Sequence, residues 1–398
     1  MHRKTRRTAI HLALFTIVLT LLILTNRPPR ESRTFPWTKV RYAKESFLDT
    51  HGTCPGLSKS LKKPVLVVSH IAADGDTAWL TESALAKKYH LCIYNVDDDT
   101  PLTKNSHLRV PANRAHESIT YLTFLISNYD LIPDTGVVFV HGSRFAWHND
   151  SPDYDNAVLL AELKVENAIA GIGYHNLRCD WSVGTCGDGA VPQGSLQIGL
   201  QAVIDPWDGR VVSDARLPGA LGVVFGLGIG SGDKKGKAIL GRHDVLRAQC
   251  CAQFVVSREA IWRHEKEEYV ALREWLLDGN NPSSIATTTS GGGGGSSNSR
   301  ILRQAGLLAA PKDDKVAGRM LSYIWHILFL DARADGSGEE VDLGKLNQLA
   351  CPTAQECYCR LYGRCGLERC RKGSCGVYRV PPGYKVPKGI LEAEEGLK

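Results

Sequence analysis

Two short polar clusters hold the residue types from which a reaction centre is built. The first is Asp97-Asp98-Asp99, directly after the apolar run Leu91–Val96. Carboxylates placed there can accept hydrogen bonds from ribose hydroxyls or a base edge, or hold a divalent cation through its waters. The second starts at His141 and runs through Gly142, Ser143 and Arg144 to His148-Asn149-Asp150. Two imidazoles and a carboxylate in one loop suit Mn²⁺ or Zn²⁺, which makes His141, His148 and Asp150 candidate metal ligands and candidate catalytic groups. Without a metal, the neutral histidines and Arg144 can contact diphosphate oxygens. The plain alternatives are a solvated acidic turn and a polar loop with one capping Asp.

Tyr174–Trp181 mixes His175, Arg178 and Asp180 with aromatic rings, suited either to a sugar face or to core packing beside a Cys179–Cys186 bridge. Glu162 and Glu166 are four apart on an expected helix and read as surface pairs, with a base as the sharper alternative. There is no G-x-S-x-G and no H-E-x-x-H, so hydrolases of those types are set aside.

Both clusters follow strand-like runs. Val65–His70, Leu91–Val96 and Gly136–Val140 are short β-branched stretches, and helical patterns over Trp79–Tyr89 and Ala115–Tyr129 lie between them. Strand, helix, strand, helix, strand implies a parallel sheet with crossover helices, whose ligands bind beyond the carboxyl ends of the strands. The expected fold is α/β, a Rossmann-like, mainly parallel sheet with flanking helices over residues 64–350. Further helices are expected at Asn156–Ala170, Glu259–Leu277 and Val316–Leu330. The eight glycines of residues 219–241 form neither G-x-G-x-x-G nor a P-loop. They read as a flexible loop in which Lys234, Lys235 and Lys237 offer cation charge. Residues 286–299 read as a low-complexity, disordered insertion.

The ends of the chain carry addresses rather than chemistry. Ala9–Thr25 is an apolar run of 17 residues without formal charge, preceded by Arg3, Lys4, Arg6 and Arg7. It predicts a transmembrane signal anchor with a cytosolic tail at 1–8 and a type II orientation, the alternative being a cleaved signal peptide. Residues 26–63, rich in Pro and Lys/Arg, read as a stem. Residues 1–45 carry ten basic and two acidic side chains, so the overall +6 leaves the remaining chain at −2. A body without a basic stripe argues against nucleic acid as partner. Six of the twelve cysteines fall within residues 351–378, expected to form a small disulfide-tied appendix before a tail at 379–398. Together these features predict the lumen of the Golgi or secretory pathway.

The stretches VLVVSHIAADGDTAWL, IYNVDDD, VVFVHGSRFAWHND, GYHNLRCDW and CPTAQECYCRLYGRC, among others in order over residues 64–365, resemble a largely fungal family known as a domain of unknown function. More remotely, the order of parts resembles the nucleotide-diphospho-sugar fold of inverting glycosyltransferases. That resemblance implies a nucleotide-sugar donor and a glycan acceptor. Asp97 and Asp98 match its nucleoside-holding acids, and Asn113 and Glu117 match the Asn and acid of its N-x-G-R-E/D-like motif. Ala115 and His116 depart from that motif, and His141-Gly142 stands where the Mn²⁺-binding D-x-D is usual, so the cofactor is Mn²⁺ or none. Ser322 stands where relatives tend to have Glu. The expected function is sugar transfer, with Arg144 and the histidines serving the leaving group. The alternatives are a degenerate binding or scaffold protein and a metal-dependent hydrolase.

Overall fold

The computed structural model describes residues 3–25, 33–42, 52–81, 84–97, 108–150, 154–226, 238–279, 309–334 and 338–376. Asp98, Asp99, the lysines at 234, 235 and 237, the insertion at 286–299 and the tail at 379–398 lie outside the described residues. The chain divides into two units, Met1–Arg33 and Thr34–Lys398.

The first unit is the helix α1 (Arg3–Thr25), about 34 Å long at the standard rise. Its Arg6–Ile23 window is apolar and long enough to cross a membrane, and none of it is buried.

The second unit is a mixed α/β domain. Its strands are β1 (Thr34–Phe35), β2 (Val65–His70), β3 (His90–Asn95), β4 (Leu108–Arg109), β5 (Val137–His141), β6 (Tyr174–Asn176), β7 (Phe254–Val256) and β8 (Val341–Asp342). Its longer helices are α2 (Glu117–Ser127), α3 (Asn156–Glu162), α4 (Leu196–Ile204), α5 (Gly209–Phe225), α6 (Lys266–Asp278), α7 (Asp314–Phe329), α8 (Leu343–Ala350) and α9 (Ala354–Tyr362). The main sheet runs β4-β3-β2-β5-β7-β6. Strands β4, β3, β2 and β5 are parallel, and β7 is antiparallel to both β5 and β6. The mainly parallel sheet expected from the first three strands is therefore present, with a reversed strand inserted near one edge.

Side chains alternate across the sheet and bury on both faces, as a covered parallel sheet requires. Val65, Val67, Tyr94, Val137, Phe139 and Phe254 share one core with α2, α5, α6 and α7. Leu66, Val68, Ile93, Val138, Val140 and Val255 share the other with α3 and α9. Three of the expected helices are interrupted. The segment expected as Trp79–Tyr89 forms short turns at Ala78–Thr81 and Leu85–Lys88, and Asn156–Ala170 breaks at Leu163-Lys164. Glu259–Leu277 divides into Arg258–Ile261 and α6.

Two expectations about the periphery are corrected. The described part of the supposed stem belongs to the domain. Strand β1 pairs with β8, and Phe35 and Trp37 are fully buried with rings stacked 4.1 Å apart. The Val40 N–H donates to Glu268 at 2.6 Å, the Tyr42 hydroxyl donates to Asp278 at 2.7 Å, and Cys54 is bridged to Cys92. The cysteine-rich segment is no separate appendix either. Cys357, Tyr358 and Leu361 are buried in the second core, and the bridges Cys179–Cys357 and Cys186–Cys351 tie it to the body. These pairings replace the Cys179–Cys186 bridge. The remaining bridges are Cys250–Cys251, Cys359–Cys365 and Cys370–Cys375, leaving no free cysteine.

Candidate functional site

Strand β2 lies between β3 and β5, so the chain leaves it first toward one edge and then toward the other. Such a reversal of strand order opens a crevice at the carboxyl ends. The loop Ile71–Gly75, directly after β2, occupies this rim and binds both neighbours. Both Asp97 oxygens, at the end of β3, accept from the Ala72 N–H at 3.1 and 3.0 Å. Asp74 Oδ2 accepts from the Ile71 N–H at 3.0 Å, and its Oδ1 accepts from the Ser143 hydroxyl beyond β5. His70 fixes the base of the loop through Asn95 and the Gly75 carbonyl, at 3.0 and 2.8 Å. A Cβ on Gly142 would lie 2.7 Å from Asp74 Oδ2 and 3.0 Å from the His70 Cα, so the approach of the two loops demands glycine there.

The loop after β5 is held by its own polar groups. Asn149 Nδ2 donates to the carbonyls of Arg144 and Tyr154 at 2.8 Å each. The buried Arg178 donates to the carbonyls of Trp147 and Asn149 at 2.6 and 2.9 Å. Arg144 forms a two-pronged pair with Asp155. Asp150 is 2% exposed, with its oxygens accepting from the Cys179 N–H at 2.8 Å and the Tyr358 hydroxyl at 3.0 Å. Arg144 and Asp150, expected as diphosphate contact and base or ligand, are thus engaged in holding this loop.

What the loop presents is histidine. The His141 and His148 rings meet edge to face at 5.1 Å, and His148 packs against Trp147 at 4.1 Å. Burial pushes the His141 imidazole down to about 3, with His148 adding to the effect, and its covered Nε2 has no hydrogen-bond partner among the described residues. His148 is also held below its ordinary value, by burial first and then by the charges of Arg178 and His116, while Asp74 opposes them. Both rings are therefore neutral at physiological pH.

The third wall is the start of α2. Ala115 and His116 both adopt left-handed φ values, 53° and 54°. Each costs about 1 kcal/mol or more for a residue with a side chain. Arg114 enforces the turn: it is fully buried, pairs with Asp314 and donates to the Leu276 and Lys312 carbonyls at 3.1 Å each. The turn leaves His116 and Asn113 exposed and puts Glu117, half-buried, in the first helical turn. Burial raises the Glu117 carboxyl above its ordinary range.

His141, His148 and Asp150, all among the described residues, do not bring three donor atoms within 4.8 Å of one another. Among the described residues, the three-donor group within 4.8 Å is Cys54, His90 and Cys92, where the two sulfurs are joined to each other. The aromatic segment Tyr174–Trp181 supplies β6 and the Arg178 support, with His175 buried against the Asn176 carbonyl. Glu162 pairs with Arg364. Ser322 donates to the Arg319 carbonyl at 2.6 Å. A cavity of about 270 Å³ lined by Gly173, Ser257, Glu259 and Arg263 lies at the opposite rim, where β6 begins and β7 ends.

Sequence reasoning missed Asp74, Ser143 as its partner, and the structural role of Arg114. The signal for Asp74 was its position four residues beyond the strand end at His70, on the rim where ligands bind.

No curated protein and no solved structure matches the chain. Residues 66–360 match the family described as "Protein of unknown function (DUF3431)", and the chain belongs to that family.

Proposed function

We propose that this protein is a membrane-anchored transferase that moves a sugar from a nucleotide-sugar donor to a hydroxyl of a glycan acceptor. The observation that carries the reading is the bridge of Asp97, Ala72, Asp74 and Ser143 across the strand-order reversal, which links the chain beyond β3 to the chain beyond β5. The helix α1 would hold the domain on the lumenal side of a secretory or Golgi membrane in a type II orientation, consistent with twelve bridged cysteines.

The reaction is a displacement at the anomeric carbon. The acceptor oxygen forms the new bond to that carbon, the bond to the diphosphate oxygen breaks, and the acceptor proton passes to a base. His148 is the base best supported. It is neutral, and Asp74 is near enough to favour its protonated form as that form appears. The donor's nucleoside would contact Asp97, and Asp98 completes the acidic turn in sequence. The departing diphosphate would meet His116 and the N–H groups at the start of α2, where burial raises the Glu117 carboxyl above its ordinary range and so weakens its opposition to an anion. Asn113, exposed beside this turn, would be a further contact for the donor.

The engagement of Arg144 with Asp155 and of the buried Asp150 with Cys179 and Tyr358 favours a second reading, a non-catalytic binding protein on the same fold. Full-length protein in detergent separates the two. UDP-, GDP- and CMP-sugars are added with and without Mn²⁺, and thermal stability and calorimetric heat are read. Stabilisation by one sugar nucleotide, retained in His148→Gln while transfer falls about 10²-fold or more, supports transfer. Binding without transfer by the wild type favours the second reading, and no response to any sugar nucleotide refutes both donor-site assignments. Stabilisation by metal alone would point to metal-dependent hydrolysis.

A further inference from the structure

Helix α4 lies against α5, and Ile198, 7% exposed, is its one buried residue. Its other large side chains face outward: Leu196, Leu200, Val203 and Ile204 are 69%, 64%, 79% and 69% exposed, and Trp207 beyond the helix is 80% exposed. Isolated apolar side chains on a surface need no explanation, but a continuous stripe of them marks an interface. The stripe repeats at three and four residues, so it forms one face of the helix. LQIGLQAVI contains no charged residue, and the first charge is Asp205. Such a face offers a protein partner no ion pair.

The same chain supplies a reason for an apolar occupant. Residues 26–33 alone separate the end of α1 at Thr25 from β1 at Thr34. Nine peptide steps reach at most about 30 Å, whatever their conformation. A domain of this length is about 50 Å across by the usual scaling. If α1 crosses a bilayer, this tether holds the domain's point of attachment within about 30 Å of it, less than the width of the domain, so a membrane is a constant neighbour.

We infer that the Leu196–Trp207 face of α4 inserts into the interfacial layer of the bilayer as a second, monotopic membrane contact. The inference rests on the anchor reading of α1. An apolar helical face with a tryptophan at its edge suits the boundary between headgroups and acyl chains. The missing basic residues suit an uncharged leaflet better than one rich in anionic lipid.

The test is photolabelling of the full chain reconstituted in phosphatidylcholine vesicles containing a trace of phosphatidylcholine with a diazirine in its acyl chain, followed by peptide mapping. Label in both 6–23 and 196–207 is expected. The double variant Leu200→Ser, Val203→Ser should lose the 196–207 label, keep the 6–23 label and melt as the wild type does, because both side chains are exposed. Label in 6–23 without 196–207 overturns the inference and leaves the anchor standing. Label in neither refutes the anchor reading and the inference together. Protection of 196–207 in a chain that sediments as a dimer assigns the face to a second copy and overturns the lipid contact.

Discussion

The Tyr358 hydroxyl donates to Asp150 Oδ1 at 3.0 Å, joining the cysteine-rich helix α9 to the loop that carries His148. The other Asp150 oxygen accepts from the Cys179 N–H, so this carboxylate ties together two segments that are also joined by the Cys179–Cys357 bridge. An acid so engaged acts as a fastener rather than as a base.

Tyr358→Phe should therefore cost about 1–2 kcal/mol of stability, and Asp150→Ala roughly 3 kcal/mol or more by orphaning both donors. Neither should abolish ligand response in the fraction that remains folded. Thermal melts of the full chain in detergent, with and without the sugar nucleotide that stabilises the wild type, measure both quantities. A fully stable Asp150→Ala protein without ligand response would restore Asp150 to the reaction.

Gly142→Ala tests the contact between the two rim loops. The added methyl meets the His70 backbone, which cannot swing away, as well as Asp74. The expected cost is about 1–3 kcal/mol, with ligand affinity reduced because the Asp74–Ser143 bond is displaced. Calorimetry on Gly142→Ala beside Ser143→Ala separates crowding from loss of the hydroxyl.

Acid should weaken the fold before its carboxylates titrate. His141 and His326 are pushed down to about 3 and His175 to about 4, each chiefly by burial. Their folded values lie below the unfolded value of about 6.5, so the unfolded chain gains protons first as pH falls. Stability is complete above about pH 6.5 and is lost progressively toward pH 3–4, by at most about 1.4 kcal/mol per pH unit for each ring. Among the described residues, neither ring nitrogen of His326 has a hydrogen-bond partner. His326→Leu should therefore flatten the slope between pH 6.5 and 5, read from melting temperatures across that range. An unchanged slope would show that His326 takes up a proton in the folded state.

Trp37→Ala should destabilise by about 3–5 kcal/mol, the usual cost of removing a large buried ring. A segment acting only as a spacer would tolerate the change, so an unaltered melting temperature would return residues 34–42 to that role.

The central strands were legible because β2, β3 and β5 are short, mostly apolar runs separated by helical or turn segments, and β3 and β5 each pair in parallel with β2. Strands β6 and β7 were not, since three residues each carry no measurable periodicity. Helix α5 was hidden by Pro218, Gly219 and Gly222, residues that disfavour helix locally and are overridden by packing on α7. The strand ends marked the rim, and that rule singled out Asp97, His141 and His148 as candidates there. The fastening roles of Arg144 and Asp150 depend on Asp155 and Tyr358. A carboxylate with a distant partner reads in sequence like one awaiting a substrate.

The Cys179–Cys357 and Cys186–Cys351 bridges also dictate an order of events during biosynthesis. A polypeptide emerging amino end first exposes Cys179 and Cys186 to oxidant long before Cys351 and Cys357 arrive. Premature joining of the earlier pair would need an isomerase to undo it by thiol exchange. Closure of this domain therefore waits on residues 351–357, since neither bridge can form before they are made.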